Sequence, residues 1–201
     1  MRILAEHEAK KFLAKYGLPV TKFNVVEDQE DLDEIELRYP LALKVSSPKI
    51  LHKTMNNAIV LDIRNKEELL NEFEKMKKRF PKEKFIVEGM EKRGVEIITG
   101  ILDDKAFGKC IMIGMGGIFT EIYKDVSFRM LPIEKNDIES MLRDLKAYAI
   151  FEKLDKKILE EIVLKISEIA LKHEVKQLDL NPIFLYEGGA KIIDAKIIFG
   201  G

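Results

Sequence analysis

Residues 178–197 read LDLNPIFLYEGGAKIIDAKI, and the folding of this stretch decides the reading of the whole chain. Apolar residues alternate with others on both sides of Glu187-Gly188-Gly189-Ala190, the pattern of two strands joined by a tight turn. With Gly188–Gly189 as the tip, Asp194 is predicted opposite Ile183. Successive side chains of a strand point to opposite faces, so Asp179, Asn181, Ile183 and Asp194 share one face. Leu178, Leu180, Phe184, Ile193, Ala195 and Ile197 share the other, which reads as core. Three oxygen-bearing side chains on one face suit Mg²⁺, which takes a few protein oxygens together with phosphate oxygens and water. A solvated face of an antiparallel sheet shows the same alternation, so spacing alone leaves both readings open.

Outward from this hairpin, periodicity divides the chain into helices and strands. Leu4, Phe12, Leu13 and Tyr16 predict a helix over 4–16, closed by Gly17. Strands follow at 18–26, 41–45, 58–63 and 84–90, with a short helix at 27–39 and a longer one at 66–80 that Asn65 caps. A second α+β run begins with a hairpin, GVEIITGILDD (94–104) and GKCIMIGM (108–115), and further strand at 118–133. Two helices are expected at 134–151 and 155–173 before the closing hairpin. The order is not the regular βαβ repeat of a Rossmann fold. The expected architecture is two α+β lobes, 1–90 and 91–201, with a cleft between them and a boundary near Gly89–Gly94.

The 201 residues carry 34 basic and 35 acidic side chains, a net charge of −1, and the bases are dispersed. That excludes the basic footprint of a nucleic-acid binder. Charged residues reach 34%, mostly Lys and Glu, the compositional bias of heat-adapted organisms. The single Cys110 rules out a disulfide framework and fits a reducing, cytoplasmic compartment. No apolar run is long enough for a membrane span, and no signal peptide is expected from the opening MRILAEHEAKKFL.

Three further features carry chemistry. Lys44 lies inside LALKV, and a lysine in an apolar strand must meet solvent, a carboxylate or a ligand phosphate. His52, one of three histidines, follows a Ser-Pro turn and precedes a lysine. An imidazole beside a cation can accept a phosphoryl group, although a solvated surface histidine fits the same sequence. Gly114, Gly116 and Gly117 follow a strand, where glycine amides can cradle an anion or simply allow a turn. Glu121, Lys124, Asp125 and Arg129 crowd the region just beyond them.

Taken together, LALKVSSPKILHK (41–53), the long central run 94–133, LKAY (145–148) and LDLNPIFLYEGGAKIIDAKI resemble the ATP-grasp β subunit of ADP-forming acetyl-CoA synthetase. The succinyl-CoA synthetase β subunit is a more distant relative. The resemblance covers nearly the whole chain and implies an ATP-grasp fold holding ATP or ADP and Mg²⁺ between two α+β lobes. It implies the reaction acyl-CoA + ADP + phosphate ⇌ acid + ATP + CoA, with a phosphohistidine as carrier. It implies a CoA-binding α subunit as partner, without which the chain would be active only in the nucleotide half.

By this resemblance Lys44 matches a phosphate-contacting lysine, and His52 the histidine that relays the phosphoryl group. Glu88, Gly89 and Met90 fall at the adenine hinge, and Glu96 matches a nucleotide-site glutamate. Gly116 and Gly117 match the glycine turn, while Asn181 and Asp194 match the Mg²⁺ ligands and Asp179 sits beside them. The chain departs from the family at 55–58, Met-Asn-Asn-Ala, where an acidic residue and a Gly-Gly pair are usual. An alanine in a left-handed conformation there would cost about 1 kcal/mol or more. A longer segment with an Arg-Gly is also usual after LKAY, where this chain has Ala149-Ile150-Phe151. A diverged subunit that binds nucleotide or the α partner without full catalysis is the alternative these departures allow.

Overall fold

The computed structural model describes residues 1–50, 53, 55–117 and 124–200. They form two compact units. One consists of Leu4–Glu8 and Thr21–Lys92, the other of Met1–Ile3, Ala9–Val20 and Arg93–Gly201.

The first unit is built on a four-stranded antiparallel sheet in the order β2-β5-β3-β4: Phe23–Val26 (β2), Lys84–Gly89 (β5), Leu41–Ser46 (β3) and Ile59–Ile63 (β4). The strand expected at 18–26 forms only over its last four residues. One face of the sheet packs on helix α2, Lys66–Arg79, through Leu41, Leu43, Val45, Phe85, Val87, Leu69, Phe73 and Met76. Asn65 caps α2 as expected, its side chain accepting from the Glu68 amide at 2.9 Å. The predicted helix at 27–39 is a single 3-10 stretch, Gln29–Glu34. Acidic residues dominate it, and Leu32 is its one buried side chain.

All six residues of β3 are buried, so its second face is covered too. Helix α1, Glu6–Lys15, supplies that cover with its first turn. The His7 amide, one of the orphan donors of a helix start, reaches the Ser46 hydroxyl at 3.0 Å, and His7 Nδ1 lies 2.8 Å from the same oxygen.

The second unit is a seven-stranded sheet in the order β1-β11-β9-β6-β7-β8, with β10 also on β9. Its strands are Arg2–Ile3 (β1), Val95–Asp104 (β6), Gly108–Met115 (β7), Val126–Met130 (β8), Val175–Tyr186 (β9), Gly189–Ile192 (β10) and Ala195–Phe199 (β11). Helices α3, Lys135–Asp144, and α4, Lys156–Lys172, cover it, with α4 against β6 and β9. The helix expected over 134–151 ends at Leu145, and Tyr148–Lys153 forms a 3-10 turn that buries Phe151. The shortened connection after LKAY is thus a packed turn. Asp155 then caps α4 by accepting from the Ile158 amide at 3.2 Å.

The closing hairpin departs from the expected register. Tyr186 pairs with Gly189, so the tip is Glu187–Gly188, one residue earlier than expected. The ladder continues as Ile192 opposite Ile183 and Ala195 opposite Leu180. Asp194 therefore stands opposite Asn181, whose amide donates to the Asp194 carbonyl at 3.3 Å, and not opposite Ile183. The core phase also slips. Leu178 and Leu180 are buried, but so are Ile183 and Leu185, while Phe184 and Ile193 are only half-buried. The slip occurs at Asn181–Pro182, where the opposing β6 ladder skips from Ile97–Ile183 to Thr99–Leu180. Proline has no N–H for the ladder, and a bulge accommodates it.

Candidate functional site

In the first unit the polar face of β3 holds an ionic network. Lys44, 3% exposed, is ion-paired with Glu88 of β5 and lies 3.3 Å from Glu6 Oε1. Glu6 Oε2 is 2.8 Å from the ammonium of Lys53, and Glu88 Oε2 accepts from the Thr21 hydroxyl at 2.7 Å. Among the described residues two ammonium groups meet two carboxylates, which offsets the cost of burying charge. Of the partners the sequence allowed for Lys44, the structure shows the carboxylates. Glu88 turns its side chain to this lysine, while Gly89 and Met90 continue out of β5. The Met90 amide donates to the Pro40 carbonyl at 3.0 Å, and its sulfur accepts from the Asp62 amide. Sequence reasoning missed Glu6, Thr21 and Lys53. The requirement that a strand lysine find a carboxylate was the available signal, but it could not say which of 35 acids would answer.

His52, expected to carry the phosphoryl group, lies outside the described residues, as does Glu121. The loop that follows His52 is described at 55–58, and it answers the question posed there. Asn57 takes the left-handed conformation (φ 48°), which Asn tolerates. Ala58 does not; it is fully buried, its amide donates to the Lys53 carbonyl at 2.8 Å, and its carbonyl accepts from Val45 at 2.9 Å. The Gly-Gly of the family is therefore replaced at little conformational cost.

In the second unit the hairpin brings Asp179, Asn181, Asp194 and Lys196 to one face, with Asp179 paired to Lys196 and Asn181 opposite Asp194. Burial pushes the Asp179 carboxyl above its ordinary value, and the neighbouring Asp194 carboxylate pushes it further, partly offset by Lys196. Among the described residues no three histidine, cysteine or carboxylate side chains gather as a metal site, so the Asn181 amide must complete any oxygen set. Two crowded carboxylates and an amide are hard oxygen donors that a divalent cation would relieve of mutual repulsion, and they fit Mg²⁺.

Glu96 at the start of β6 meets the glycine turn. The Gly116 amide donates to the Glu96 carbonyl at 2.6 Å. A Cβ at Gly116 would lie 2.8 Å from the Glu96 Cβ, and one at Gly117 2.9 Å from Glu96 Oε2. Gly117 is also left-handed (φ 63°). These glycines let the turn close on Glu96. Of the charges beyond, two serve the fold: Asp125 accepts from the Lys146 and Ala147 amides at 2.8 and 3.0 Å, and Arg129 pairs with Asp144 at 2.8 Å.

The family model for the ATP-grasp domain matches residues 1–199. The acetate–CoA ligase [ADP-forming] I subunit beta of Pyrococcus furiosus is 38% identical over 98% of this chain and 92% of its own length. The chain belongs to the ATP-grasp family of ADP-forming acetate–CoA ligase β subunits. The acetate–CoA ligase [ADP-forming] II of Archaeoglobus fulgidus is 34% identical over 98% of the chain, which spans only 30% of that protein. Among solved structures, acetyl-coenzyme A synthetase 1 of Ca. Korarchaeum cryptofilum matches with a TM-score of 0.84 at 33% identity, over 98% of this chain and 93% of that one. It was solved with coenzyme A and Mg-AMPPCP, its phosphohistidine segment pointing towards the nucleotide binding site. The ATP-grasp fold expected from the family resemblance is thus the fold of this chain. No helix among the described residues is long and apolar enough to cross a membrane.

Proposed function

We propose that this chain is the nucleotide-binding subunit of an ADP-forming acetyl-CoA synthetase, moving a phosphoryl group between a phosphohistidine and ADP in complex with a CoA-binding α subunit. It would work in the cytoplasm. The observation that carries the reading is the oxygen face of the closing hairpin, Asp179, Asn181 and Asp194, in a chain that spans 92% of a named β subunit. Asn181 and Asp194 would hold Mg²⁺, which supplies charge neutralisation to phosphate oxygens when bound. Lys44 would contact phosphate, Glu96 with Gly116–Gly117 would bound the nucleotide, Glu88–Gly89–Met90 would meet the adenine, and His52 would accept the phosphoryl group.

The test combines the purified chain with an α subunit and measures ATP formed from acetyl-CoA, ADP and phosphate with Mg²⁺. ATP that requires both chains supports the reading. A stable complex that forms none refutes it.

A further inference from the structure

Glu6 is absent from the site residues that the family resemblance supplied, yet it touches two of the cations in the first unit. One carboxylate oxygen lies 3.3 Å from Lys44, and the other 2.8 Å from Lys53. The Glu6 side chain is buried, at 2% exposure, and its backbone is fixed by the neighbouring His7–Ser46 contacts, which seat the first turn of α1 on β3. Lys53 also supplies the carbonyl that accepts from the Ala58 amide, so its position closes the loop 53–58. Lys44 is in a strand and Lys53 in that loop, and one rigid carboxylate spans them.

We propose that Glu6 is a positioning residue that sets the loop at Lys53, the chain neighbour of His52, relative to the strand lysine Lys44. The consequence for phosphoryl transfer rests on the function proposed above; the coupling itself does not. Lys44 keeps Glu88 as a second carboxylate partner, so loss of Glu6 leaves Lys44 paired and removes the Lys53 contact. In the transfer reaction Glu6→Gln therefore lowers kcat more than it raises KM for ADP.

The coupling is tested by hydrogen exchange on the full chain, without turnover. In Glu6→Gln the Ala58 amide is expected to exchange about tenfold faster, and in Lys53→Gln similarly. The double variant should exchange no faster than the quicker single one, because both remove the same link. The Leu69 amide of α2 serves as control and should not change. Unchanged exchange at Ala58, or single effects that multiply in the double variant, would overturn the proposal. Should Glu6→Gln fail to fold, Lys53→Gln and Glu6→Asp carry the test, the shorter acid being expected to restore part of the protection and Lys53→Gln to lose it. Failure of the unaltered chain to make ATP would overturn the functional reading and leave the exchange result standing.

Discussion

Lys44 and Glu88 sit on a diagonal of the β3–β5 ladder, Lys44 opposite Ile86 and Glu88 opposite Ala42, and pair while both are buried. Diagonal partners on one sheet face are within reach of long side chains. A lysine expected to serve a ligand is here held in place by the fold's own acids.

Breaking that pair is expected to be costly. Glu88→Gln leaves the Lys44 ammonium buried with Glu6 as its remaining carboxylate in this network, and should lower the unfolding free energy by about 3–5 kcal/mol. Urea unfolding of the full chain measures it. A loss under about 1 kcal/mol would mean that Glu88 does not compensate Lys44, since such small values are typical of exposed pairs.

Asp179 gives a pH dependence with a definite sign. Its folded-state carboxyl titrates above its ordinary value of 3.8 because of burial and Asp194. The folded chain therefore holds this proton more tightly than the unfolded one. The favourable contribution is complete below the ordinary carboxyl pKa and is lost as pH rises through the raised folded value. Asp179→Asn should be more stable than the parent at neutral pH, with the difference shrinking as pH falls towards 3.8. Unfolding midpoints across pH check this, and a constant difference would contradict it.

Asp194→Asn separates stability from ligand binding. It removes the repulsion on Asp179, so stability at neutral pH should hold or rise. Affinity for Mg-ADP should fall at least about tenfold, roughly 1.4 kcal/mol. Calorimetric titration with Mg-ADP measures the second effect. Unchanged affinity would remove Asp194 from the metal site.

The glycine turn yields a paired comparison. Gly116→Ala would drive a methyl to 2.8 Å from the Glu96 Cβ, whereas nothing lies within 4 Å of a Cβ at Gly188. Gly116→Ala should destabilise by about 1–3 kcal/mol and Gly188→Ala should stay within about 0.5 kcal/mol of the parent. Thermal unfolding of the two variants decides it, and equal midpoints would show that the turn does not depend on its approach to Glu96.

Much of this was legible in the sequence. Alternation over 178–197 placed Asp179, Asn181 and Asp194 on one face correctly, because a tip displaced by one residue leaves the side-chain parity intact. It misplaced Phe184 and Ile193, since a bulge at Pro182 changes the core phase and alternation carries no sign of where the count is interrupted. Lys44 was recognised as needing a partner, but Glu6 is 38 residues away, and only the seating of α1 on β3 brings them together. The helix over 134–151 failed at Leu145 for a similar reason. The backbone turns there, where the Lys146 and Ala147 amides bind Asp125, a contact between segments 21 and 22 residues apart.

β1, Arg2–Ile3, finds its partner in β11, Ala195–Phe199. During synthesis β1 therefore waits for about 190 further residues, roughly 10–40 s at usual ribosomal speeds. β9, which carries Asp179 and Asn181, likewise stays unpaired with β11 until those last residues emerge. The oxygen face of the hairpin is thus among the later parts of the sheet to be completed, after β6 and β7 have been made.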